Sequence, residues 1–146
     1  MEFNTDIITL FHATGDFNYR SRWQEGVKSV EELNHFLPRV GTRCRCIHDD
    51  GEEIIYSSSY TYHPERIEFS ETDEVKKNIT HYLLEKTGSN KTRLSIDFYM
   101  KKNIVLQTVF KLGKKKKLEA AFHKSMINLQ ELVKEIKLQG KPDNIP

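Results

Sequence analysis

The chain has 146 residues, 37% of them hydrophobic and 30% charged, with a formal net charge of +2. That length suits one domain with one sizeable core, and 8 Phe, 6 Tyr and 1 Trp supply the aromatic bulk that a disordered chain lacks. The near-neutral balance excludes an overall bias toward nucleic acid or membrane surfaces, and no apolar run approaches the ~20 residues of a membrane span.

The N-terminus has no signal-peptide layout, so the cytoplasm is the expected location. After a short polar start, DIITLFHA (6 to 13) offers Asp6 as an N-cap, with Ile7, Leu10 and Phe11 at helical spacing. Thr14-Gly15 should break that helix, and Asp16 can cap a second short one through Trp23. The period then falls from about 3.6 to 2. Gly26 to Leu33 carries Val27, Val30 and Leu33, and a loop with Pro38 spans 34 to 39. In VGTRCRCI (40 to 47), Arg43 and Arg45 alternate with Thr42, Cys44 and Cys46. Arginines prefer water, so the thiols should face inward as free, buried cysteines. A bridge between residues two apart in a strand would be strained, and no second cluster completes a metal site, so neither metal nor cofactor is expected.

Asp49-Asp50-Gly51 is a hairpin signal that leads into EEIIYSSSYTY. His63-Pro64-Glu65 turns the chain again, and from Arg66 to Thr72 Ile67 and Phe69 alternate with Glu68 and Ser70. A polar stretch, 73 to 78, precedes ITHYLLEK, and Gly88-Ser89-Asn90 precedes TRLSIDFYM, where Leu94, Ile96, Phe98 and Met100 share one side. Six strand candidates at short spacing form an antiparallel meander with one covered face. Residues 103 to 112, NIVLQTVFKL, read as an early helical segment or an apolar flap.

The covering element is the stretch from 115 to 138. At roughly 100 degrees per residue, Leu118, Ala121, Phe122, Ser125, Met126, Leu129, Leu132, Val133 and Ile136 fall within about 140 degrees, and only Ile127 breaks the partition. This predicts an α+β fold with a curved antiparallel sheet of six or seven strands wrapped around a long C-terminal helix, and two short helices near the N-terminus. Residues 1–139 form the expected domain, and 140–146 should fray. Lys111 and the lysines 114 to 117, with Lys101-Lys102 before them, read as a solvated turn or as a patch for anionic lipid or an acidic partner. No aromatic-basic interleaving of the kind that binds single-stranded nucleic acid is seen.

The runs RWQEGVKSVEE, VGTRCRCI, GEEIIYSSSYTYHPERIEFSE, TRLSIDFYM and LEAAFHKSMINLQELVKEI together resemble the SRPBCC or START-like superfamily, especially its polyketide cyclase/dehydrase-like branch, over about residues 6 to 138. The resemblance implies a helix-grip fold with a seven-strand sheet and a cavity under the helix for an apolar or amphipathic small molecule. The superfamily has a first strand ahead of the helix pair. Here residues 1 to 5 either form a stub of it or leave a sheet edge open to a strand or domain partner.

On that architecture the expected cavity liners are Trp23, Thr42, Cys44, Tyr56, Tyr60, His81, Phe98, Phe122 and Met126, with Phe110 at the mouth. Six histidines show no metal-ligand spacing, and no nucleophile elbow or phosphate loop is present. His81, with Tyr60, is the candidate for proton transfer, whereas Asp97 and Glu71 read as outward charges. Three functions fit: a noncatalytic module enclosing a small molecule, without nucleic acid or stable membrane insertion; a cyclase/dehydrase-like enzyme; or a ligand-free interaction or regulatory domain of a longer protein.

Overall fold

The computed structural model describes residues 1–33, 42–100 and 115–139. The expectations for the loop at 34 to 39, the segment 103 to 112, Phe110, Lys111 and the tail 140–146 lie outside the described residues. In chain order the elements are β1 (Glu2–Phe3), α1 (Ile7–Gly15), α2 (Phe17–Trp23), β2 (Val27–Glu32), β3 (Thr42–His48), β4 (Glu53–His63), β5 (Arg66–Asp73), β6 (Ile79–Gly88), β7 (Lys91–Tyr99) and α3 (Lys115–Gln139). The strands form one curved antiparallel sheet in the order β1-β7-β6-β5-β4-β3-β2, which with α3 makes a helix-grip α+β fold.

The two short helices form where their caps dictate. Asp6 Oδ1 accepts the Thr9 N–H at 2.6 Å, and Asp16 Oδ1 accepts the Asn18 N–H at 2.9 Å, each satisfying an otherwise orphaned donor of a first turn. α1 includes Thr14 and Gly15, both buried, and ends at Asp16; the Thr14 hydroxyl finds its partner in the Leu10 carbonyl at 3.0 Å. At the hairpin between β3 and β4, Gly51 takes φ +88, a conformation that favours glycine.

Residues 1 to 5 form the stub: Glu2 and Phe3 pair with Arg93 and Thr92 of β7. The Met1 amino group and carbonyl both bond the backbone of Leu94 at 2.8 Å.

Period two decides which side chains enter the core. On β5, Ile67, Phe69, Glu71 and Asp73 are all buried, and the register sets Phe69 between Tyr60 of β4 and Tyr82 of β6. These three rings stack in a row, 5.6 and 4.4 Å between centroids, and Phe11 of α1 meets Phe69 edge-on at 5.7 Å. Cys44 and Cys46 are buried as expected, with Arg43 and Arg45 on the other face.

α3 buries the predicted stripe. Ser125, Leu129, Leu132 and Val133 are sealed, Leu118, Ala121, Phe122, Met126 and Ile136 are half-buried, and Ile127 is 46% exposed. Leu129, Leu132 and Val133 join one core with Phe3, Ile7, Leu10, Leu84 and Leu94, at about 1.5 to 3 kcal/mol for each large side chain removed from water.

Candidate functional site

α2 has seven residues, and Arg20 and Trp23, one turn apart, share its buried face. On β5 the alternation that buries Ile67 and Phe69 continues to Glu71, which is 3% exposed. Glu71 was expected to face water; that expectation is corrected, because its position in the strand, not its charge, sets its face. Arg20, 4% exposed, is what makes the burial tolerable.

The two meet inside the core. Arg20 Nη1 donates to Glu71 Oε1 at 2.6 Å and to Gln24 Oε1 at 3.2 Å, while Nη2 donates to the Thr14 carbonyl at 3.1 Å. The guanidinium carbon lies over the Trp23 ring, 5.4 Å from its centroid, and over the Tyr82 ring at 5.9 Å. Burial pulls the Arg20 pKa down, but the charge of Glu71 and its hydrogen bond outweigh that, so the guanidinium stays charged. Its neighbours respond in turn. Burial, reinforced by the charge of Glu71, raises the hydroxyls of Tyr56 and Tyr82 well above the ordinary tyrosine value and pushes Tyr60 up to about 12. All three remain protonated and able to donate hydrogen bonds at neutral pH.

The same burial pushes the thiols of Cys44 and Cys46 up to about 12 and 11. A thiol so far above neutrality is a poor nucleophile. Iodoacetamide at pH 8 should therefore leave both cysteines unmodified in the folded protein and alkylate both in denaturant, which intact-mass measurement will count. Among the described residues no cluster of three or more His, Cys, Asp or Glu side chains could hold a metal ion.

α3 is fastened over this group by polar bonds. Ser125 Oγ accepts the Glu25 N–H at 2.8 Å, Asn128 Nδ2 donates to the Trp23 carbonyl at 3.3 Å, and Lys137 Nζ donates to the Asn4 carbonyl at 2.8 Å. Arg22 and Glu135 add an exposed ion pair.

The predicted liners separate into distinct groups. Trp23, Cys44 and Tyr60 are packed in the interior, at 1%, 2% and 7% exposure. Tyr56, Phe98, Phe122 and Met126 are half-buried. Tyr56 pairs across strands with both Cys44 and Asp73, and Phe98 pairs with Thr80. Thr42 pairs with Ser58 in the ladder. His81 requires a correction. Tyr82 and Leu84 are the core-facing residues of β6, so His81 takes the opposite face, where it pairs with Ser70 and with the exposed Asp97. Tyr60 and His81 thus lie on opposite sides of the sheet and do not line a common space. Sequence reasoning missed Arg20; its one-turn spacing from Trp23 was the available signal.

Away from this group, an open depression of about 320 Å³ lies between β1 and α3, lined by Glu2, Phe3, Asn4, Gln130, Val133, Lys134 and Lys137.

No family model and no curated protein matches the sequence. Solved structures do. A START superfamily protein from Mycobacterium smegmatis superposes with a TM-score of 0.62 at 19% identity, covering 93% of this chain and 94% of that one. A protein from Arthrobacter aurescens gives 0.63 at 18% identity over 92% and 83% of the two chains, and one from Chromobacterium violaceum gives 0.62 at 18% over 91% and 94%. The fold is therefore SRPBCC/START-like.

Proposed function

We propose that the space between the sheet and α3 holds an apolar or amphipathic small molecule without transforming it. One observation carries this reading. Beside the sealed aromatic row, the core-facing side chains of Tyr56, Thr80, Ile96 and Phe98, and of Phe122 and Met126 on the stripe of α3, keep part of their surface uncovered. Apolar walls with a few hydroxyl groups suit a ligand that has one polar end. Tyr56, held protonated, and Thr80 can each donate to an acceptor on that end. A noncatalytic role is favoured because the thiols are masked and Tyr60 and His81 are divided by the sheet. The START-like likeness is one of fold and supports the reading as analogy.

Thermal-shift measurement against fatty acids, sterols and aromatic polyketides, with native mass spectrometry to detect the complex, tests it. A ligand at a hundredfold its Kd should stabilise by about 2.7 kcal/mol, roughly 5 to 10 °C in Tm. Thr80→Trp should fill the space and abolish the shift and the bound mass. Unchanged melting across the panel, with no bound mass, would sink the reading.

A further inference from the structure

The edge strand β2 carries two charges, Lys28 and Glu32, that no described residue pairs. Both are exposed and have no ion-pair partner among the described residues, whereas Glu31 between them is engaged by Arg45 at 3.0 Å. β2 ends the sheet, so its outer edge has no neighbouring strand among the described residues. The Leu33 N–H bonds the Arg43 carbonyl at 3.0 Å, and Glu32 stands opposite Cys44. By alternation Leu33, Glu31 and Ser29 face β3, and Val30 and Glu32 turn their N–H and C=O groups to the free edge. Val30, half-buried, stands opposite the buried Cys46, at the margin of the concave face.

We propose that this edge pairs with the β2 edge of a second copy of the chain, antiparallel about a twofold axis at Val30, joining two seven-strand sheets into one. Symmetry limits the registers. When identical antiparallel strands pair about a twofold axis, one residue must face its own copy, because hydrogen-bonded and open pairs alternate. An axis at Glu31 or Glu32 sets like charges against each other. An axis at Ser29 puts the bulge at Lys28 beside the centre of the new ladder. An axis at Val30 avoids both and places Lys28 against Glu32 of the second copy, twice over. Val30 meets Val30 there with its outward N–H and C=O groups in register. The bulge keeps the ladder short, so the dimer is a reversible one in which the two ion pairs set the register.

Sedimentation velocity on the full chain, from micromolar to near-millimolar concentration, tests this. A concentration-dependent dimer weakened by salt is expected. Lys28→Glu or Glu32→Lys alone should raise the dimer Kd about tenfold, since each places two like-charge pairs in the interface. The double reversal should restore it. Val30→Pro, which removes an outward N–H and no bond to β3, should abolish dimerisation while retaining the monomer's circular dichroism. If that variant loses its fold, protection of the Val30 and Glu32 amides from hydrogen exchange, slower in the dimer, replaces it as the readout. A chain that stays monomeric throughout, or a dimer indifferent to both charge reversals, overturns the proposal.

Discussion

Arg20→Ala should cost about 3 to 5 kcal/mol of folding stability, read as a lowered urea midpoint with an unchanged denaturant slope. The loss is far more than one salt bridge is worth at a surface, where the median is about 0 to 1 kcal/mol. It arises because the truncation strands the Glu71 carboxylate, 3% exposed, in the interior without the guanidinium that compensates its charge. Glu71→Ala should cost a similar amount by stranding the guanidinium. The diagnostic experiment is the double substitution Arg20→Met with Glu71→Leu. Removing both charges and restoring apolar volume eliminates both desolvation penalties, so the double variant should be more stable than either alanine variant. A loss equal to the sum of the two single losses would mean that the side chains do not interact in solution.

Leu129→Ala should destabilise by about 2 to 5 kcal/mol, and Ile127→Ala by less than about 0.5 kcal/mol, although the two residues lie within one turn of α3. Leu129 is fully sealed in the core, and Ile127 is 46% exposed. The contrast reports the rotational setting of α3 directly, because the two side chains lie on nearly opposite faces and a helix turned by about half a turn would exchange the two results. Phe122→Ala, at a half-buried position, should fall below Leu129→Ala despite its larger ring. Chemical denaturation of the three variants measures all of this.

The legible parts of the molecule were those in which side-chain period and burial coincide. The stripe on α3 was read correctly down to its one interruption at Ile127, and the alternation in β3 put both cysteines inside. Asp6 and Asp16 announced their helices through the side-chain oxygens that cap them. The reading failed where a polar residue had to be assigned a face. Glu71 shares the parity of Ile67 and Phe69, and its charge argued against following that parity inward. The cation that permits its burial lies 51 residues away, on α2. His81 shares the parity of Ile79 and Leu83, and that side of β6 is the outer one. Tyr82 and Leu84 carry the core instead.

Local pattern therefore determined the elements, their order and the buried stripe of the last helix, because 3.6-residue and 2-residue periods, caps and turn residues act over a few positions. Only the assembled sheet decided that Glu2 and Phe3 close onto β7, that Arg20 meets Glu71, and that His81 stands on the far side from Tyr60. Each of those outcomes depends on strand register and on partners tens of residues apart, and in the interior a charge is stable only where a distant opposite charge arrives beside it.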